Sequence, residues 1–96
     1  MMITENSIIR LNTQTISNDL QGEAIILQLE TGNYFGLEGV GNFVWNCLQS
    51  PRSVAEIRDA ILNEYEVEAG RCFADLMNLL QDLAARQLIE VLNEPS

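Results

Sequence analysis

The chain has 96 residues, 47% of them hydrophobic, and a formal net charge of −9 with no histidine, which suits one modest core in a single domain expected to span residues 1–96. Five Lys and Arg against 14 Asp and Glu exclude nucleic acid as the expected partner, because that binding draws most of its affinity from clustered cations. Apolar runs such as Ala24-Ile25-Ile26-Leu27 are too short to cross a bilayer, and Met1 to Glu5 lacks the segments of a signal peptide, so no membrane partner and a cytoplasmic location are expected.

Ile8 to Leu11 reads as a short strand and the polar stretch Asn12 to Gln21 as a connecting loop. From Gly22 to Leu29 aliphatic residues accumulate, with Ile25, Leu27 and Leu29 on the face expected to meet the core and Ala24, Ile26 and Gln28 on the other. Glu30-Thr31-Gly32-Asn33 is a turn, since Gly32 and Asn33 tolerate positive φ. Tyr34 to Leu37 returns as a strand with Phe35 and Leu37 on one face and Tyr34 and Gly36 on the other. Gly36 admits two readings, a bulge or a place where another backbone approaches closely.

After Leu37 the period becomes helical. Val40, Val44, Cys47 and Leu48, widened by Phe43 and Trp45, form a stripe that ends near Ser50-Pro51. Ser53-Val54-Ala55-Glu56 is a capping box opening a second helix, with Val54, Ile57, Ile61 and Tyr65 as its buried stripe. A third helix from about Gly70 to Arg86 carries Phe73, Leu76, Met77, Leu80, Leu83 and Ala84 at core spacing. Gln87 to Leu92 is a short closing apolar segment and Asn93 to Ser96 a frayed tail. The fold class is α+β, a three-stranded antiparallel sheet followed by three helices, winged-helix-like in its inventory.

Cys47 and Cys72 lie among apolar residues with no CxxC and no histidine. They read as reduced, partly buried thiols; no metal, no cofactor and no catalytic residue is expected. A cysteine nucleophile would need a base to ionise it, and none is at hand.

The third helix has apolar residues beyond its core stripe. Cys72, Leu79 and Leu83 extend it to a flank bordered by Asp75, Asp82 and Arg86, which suits either packing on two neighbours or a groove wall. Tyr34-Phe35-Gly36-Leu37 contains none of the charges or prolines that block a sheet edge. An open edge beside an apolar flank is what strand addition by an extended peptide requires. Proline at Phe35 or Leu37, whichever points its N–H outward, is then expected to abolish such pairing.

Gly22 to Leu27, Glu30 to Leu37, Val44-Trp45 and Ser53-Val54-Ala55-Glu56-Ile57 together resemble the PqqD-like family of RiPP recognition elements, over roughly residues 5 to 92. The resemblance implies a non-catalytic domain that binds the leader segment of a ribosomally made precursor peptide. It implies that Tyr34, Phe35, Gly36 and Leu37 pair with the leader, while Cys72, Asp75, Leu76, Leu79, Leu83 and Arg86 line the helix side. Free-standing members serve a radical-SAM enzyme in pyrroloquinoline quinone synthesis, or act in lasso-peptide machinery with a leader peptidase and a macrolactam cyclase. The Glu30 to Leu37 hairpin is more similar to the lasso-peptide subunit. The rival readings are a cysteine enzyme, a winged-helix DNA binder, whose recognition helix should not carry Asp75 and Asp82, and a structural subunit.

Overall fold

A computed structural model describes residues 3–93. Among them the elements run β1 (Ile8–Leu11), β2 (Thr15–Leu20), β3 (Glu23–Gln28), β4 (Tyr34–Glu38), α1 (Val40–Cys47), β5 (Arg52–Ser53), α2 (Val54–Glu64), α3 (Ala69–Ala85) and β6 (Ile89–Leu92). The expected three-stranded antiparallel sheet and three helices are present, but the sheet that leads into the helices is β2-β3-β4, and Ile8–Leu11 belongs to a second one, β5-β1-β6.

The stretch Asn12 to Gln21, expected to be a loop, therefore contains a strand. Gln21 (φ 54) and Gly22 (φ 83) both take positive φ, the two-residue hairpin geometry whose twist matches that of paired strands. That turn folds β2 onto β3 in the register Ser17↔Ile26 and Leu20↔Glu23. The closing segment after α3 is likewise a strand: β6 pairs with β1, and Arg10 meets its register partner Glu90 in an ion pair at 2.8 Å.

The face of β3 turned to the core is the opposite of the one expected. Ala24, Ile26 and Gln28 are buried, Ile25 and Leu27 are partly open and Leu29 is exposed. The reason lies in the partner strand: Phe35 and Leu37, which face inward, stand opposite Ile26 and Ala24, and opposed residues share a face. A strand apolar on both sides takes its orientation from its hairpin partner.

Gly39, at φ 61 and ψ −131, caps α1 in a backbone region that side chains disfavour, turning the chain sharply from β4 into the helix. Trp45, almost fully buried, donates its indole N–H to Ser17 Oγ at 3.1 Å, so α1 is pinned to the inner face of β2. The capping box of α2 forms as expected, with Glu56 N–H donating to Ser53 Oγ at 3.0 Å and Ser53 N–H donating to Glu56 Oε1 at 2.9 Å. The Ser53 N–H, and after it the Ser53 hydroxyl, hold the Glu56 carboxyl below its ordinary pKa. Helix α3 ends with Gln87 in the left-handed region (φ 61), Leu88 N–H reaching Leu83 O at 3.0 Å and Gln87 N–H reaching Ala84 O at 3.0 Å, a Schellman end usually made by glycine.

The core joins the inner face of β3 to all three helices through Ile9, Ile26, Val44, Leu48, Val54, Ile57, Leu80 and Leu83. On α3 the buried line runs through Cys72, Leu76, Leu80 and Leu83, while Phe73, Met77 and Ala84, expected at its centre, are only partly buried. No helix among the described residues is long and apolar enough to cross a membrane.

Candidate functional site

Among the described residues strand β4 is an edge of its sheet, paired with β3 alone. Gln28 N–H donates to Asn33 O at 2.9 Å, which fixes the phase of the hairpin: hydrogen-bonded pairs alternate in an antiparallel ladder. Continuing the register, Phe35 and Leu37 direct their N–H and C=O groups towards Ile26 and Ala24. The main-chain groups turned away from the sheet are those of Tyr34, Gly36 and Glu38. Proline at Phe35 or Leu37 would thus remove inward bonds, contrary to the expectation from sequence; the outward donors are on the alternate residues.

The side chains divide in the same alternation. Phe35 and Leu37 are partly buried on the inner face, whereas Tyr34, Gly36 and Glu38 are open to solvent, Tyr34 at 71%. Beyond the inner face, between β4 and α3, lies a cavity of about 430 Å³. Leu37 forms its strand side and Cys72, Asp75, Leu76 and Leu79 its α3 side. Its depth comes from residues that no site reading singled out: Val40, Gly41 and Val44 of α1, Ile61 of α2, and Val67. Val40 and Val44 carried a helical periodicity in the sequence, but nothing there told that their stripe also floors a trough.

Apolar walls and a charged rim make the cavity suited to an aliphatic or aromatic side chain. Glu38 borders it at the end of β4 while Arg71 and Asp75 supply the charges around it, Arg71 Nε standing 3.9 Å from Asp75 Oδ2 with both side chains largely in water. Burial raises the Cys72 thiol above its ordinary pKa, with the Asp75 carboxylate adding to the shift; Cys47 is also raised, chiefly by burial. Both thiols therefore stay protonated at neutral pH, the opposite of what a nucleophile needs.

Phe35 and Arg86 do not line this cavity but meet one another elsewhere between the same two elements. The Arg86 guanidinium lies 5.2 Å from the centre of the Phe35 ring and is held by Asp82 at 3.1 Å, a cation–π closure between β4 and the last turn of α3. Gln28 of β3, with no exposed surface, ties the turn that precedes β4 to the end of α3. Its Nε2 donates to Gln87 O at 3.0 Å, and its Oε1 accepts from Glu30 N–H at 2.6 Å and Thr31 N–H at 3.3 Å. Asn12 Nδ2 donates to the same Gln87 carbonyl at 2.9 Å. Leu83, at 1% exposure, sits in the core and does not line the cavity.

Of the residues expected at the site, the structure thus gathers Leu37, Cys72, Asp75, Leu76 and Leu79 around one cavity, sets Phe35 and Arg86 against one another outside its lining, and leaves Tyr34 and Gly36 on the edge with outward backbone groups. An unpaired strand edge beside an apolar trough is the architecture of a small α+β domain that can accept an extended chain as an added strand. The chain belongs to the family of coenzyme PQQ synthesis protein D (PqqD), which it matches over residues 23–89. Among solved structures it is similar to that described as TbiB1 in complex with the TbiA(beta) leader peptide, at 36% identity and a TM-score of 0.81, covering 84% of this chain and 94% of that one. The fold is shared with a lasso peptide synthetase B1 complexed with the leader peptide, at 21% identity and a TM-score of 0.76, covering 85% and 96%. No curated protein gives a significant match.

Proposed function

We propose that this protein is a leader-binding subunit of lasso-peptide biosynthesis, holding the leader of a precursor peptide as a strand added to β4 with alternate side chains in the trough against α3. The observation that carries this reading is the likeness to TbiB1, 36% identical over nearly its whole length and solved with a leader peptide bound, combined with the open edge of β4 beside an apolar cavity. In this reading Tyr34, Gly36 and Glu38 supply the backbone bonds, Phe35, Leu37, Cys72, Asp75, Leu76, Leu79 and Arg86 border the guest's inward side chains, and Leu83 supports them from the core. The subunit carries out no chemistry of its own. It presents the precursor to a separate leader peptidase and macrolactam cyclase. The PqqD match favours a second reading, the same capture performed for a radical-SAM enzyme.

Titration of the protein with fluorescently labelled TbiA(beta) leader peptide tests the proposal by anisotropy. Saturable binding is expected, abolished by competition with unlabelled leader and accompanied by slowed amide exchange at Tyr34, Gly36 and Glu38. Binding that protects β1 or β6 and leaves β4 unchanged would overturn it. Co-purification with a lasso-peptide leader peptidase, against a radical-SAM enzyme, separates the two readings.

A further inference from the structure

Gly36 is not required by the fold. It lies inside β4 without the positive φ of Gly22, Gly32 and Gly39. A Cβ placed there would meet Glu23 Oε2 at 3.5 Å and Ile25 Cδ1 at 3.9 Å, ordinary contacts that alanine would satisfy. Glycine within a strand is destabilising and commonly marks the close approach of something else.

A second anomaly adjoins it on the same solvent-facing side. Glu23 and Glu38 stand directly opposite one another in the β3–β4 register, where like charges repel. Among the described residues neither carboxylate has an ion-pair partner. With no side chain at Gly36, the atoms bordering its outward face are those of the Glu23 carboxyl and the end of Ile25.

We infer that Gly36 determines specificity, by admitting a long basic side chain of the leader across the solvent face of the sheet. The inference rests on the strand-addition reading. Whether the guest runs parallel or antiparallel, its residue opposite Gly36 shares the face of Gly36 and so projects away from the trough. With strands about 4.8 Å apart, the stem of an Arg or Lys extends over Gly36 onto Ile25, and its charged end meets Glu23 and Glu38. An aromatic or aliphatic residue would cover Gly36 but leave both carboxylates repelling one another and partly dried. A basic residue relieves both conditions, and the chain's net charge of −9 acts in the same direction. The leader is thus read on two faces: apolar residues into the trough, and one cation over the glycine.

The test uses a set of TbiA(beta) leader peptides in which each position in turn is Arg, norleucine or Ala, titrated at low salt against four proteins: wild type, Gly36→Ala, Gly36→Val and the double variant Glu23→Gln/Glu38→Gln. Wild type is expected to show one position where Arg binds at least tenfold more tightly than norleucine or Ala, its neighbours on either side being the positions sensitive to trough variants such as Leu79→Ala. Gly36→Val and the double variant should reduce that preference to within twofold, with Gly36→Ala between; thermal melts establish that each variant is folded. The inference is overturned if no such position exists, if norleucine serves as well as Arg, or if the preference survives Gly36→Val. Wild type binding every peptide equally sinks this inference and leaves strand addition standing, whereas binding of no peptide removes both.

Discussion

Leu80 has no exposed surface, whereas Leu79, one residue earlier on α3, is only partly buried and lines the cavity. Adjacent helical residues diverge by about 100°, so the two side chains answer to different demands. Leu80→Asp places an unpaired charge in the core and is expected to cost more than about 3 kcal/mol, enough to unfold a small domain. Leu79→Asp keeps its charge at the rim; it should leave the protein folded, at a loss of about 1 kcal/mol, while weakening leader binding at least tenfold by wetting the trough. Urea melts and leader titrations of the two variants check this. Equal destabilisation would show that Leu79 serves the core and that the trough has no binding role. At this scale the sequence was informative about α3, where spacing separates one helix face from another, and uninformative about Gln28. A glutamine in an aliphatic strand reads as solvent-facing, yet this one is buried because Gln87 O, Glu30 N–H and Thr31 N–H satisfy its amide.

Elements whose pattern is intrinsic were legible before the structure: α2 announced itself by its capping box, α3 by its period, and the β3–β4 hairpin by Gly32 between two apolar runs. Strand β2 was not. Thr15-Ile16-Ser17-Asn18-Asp19-Leu20 is mostly polar and includes Asn18 and Asp19, which strands disfavour, and it is extended because backbone pairing with β3 and the Gln21-Gly22 turn hold it so. A positive φ at Gln21 in place of the usual Asn or Gly removed the turn signal that would have revealed it. The edge character of β4 was legible; the phase of its hydrogen bonds was not, because phase is set by how the hairpin closes at Gln28 and Asn33. That phase yields a paired prediction. Gly36→Pro deletes an outward donor, which an edge strand tolerates, and should leave the melting temperature within about 5 °C of wild type while abolishing leader binding. Phe35→Pro deletes an inward bond to Ile26 and should unfold the sheet. If Gly36→Pro binds leader as wild type does, the guest does not pair with β4.

At the scale of the whole molecule, the β2-β3-β4 sheet meets the remainder through the inner faces of β3 and β4 on the shared core, and through the ties of Trp45 to Ser17, Gln28 to Gln87 and Phe35 to Arg86. Outside these, β2 is mostly exposed, with Ile16 at 55% and Leu20 at 60%. Such a sheet can open as a unit at lower free energy than the helical core. A leader strand bonded to β4 and seated on α3 spans both parts and must dissociate before they separate. Ligand at a hundredfold excess over its Kd contributes about 2.7 kcal/mol to any opening that releases it, and for a domain of this size each kcal/mol raises the melting temperature by about 4–8 °C. The complex is therefore expected to melt roughly 10–20 °C higher than the free protein under that excess. Amide exchange should slow not only on β4 but also at Ile25 and Leu27, whose bonds to β2 the leader never touches, by up to about a hundredfold. Exchange on β1 and β6 should change less, because those strands belong to the other sheet. If protection is confined to Tyr34, Gly36 and Glu38 while Ile25 and Leu27 exchange as in the free protein, the leader is held by the edge alone and the two parts of the molecule do not open separately.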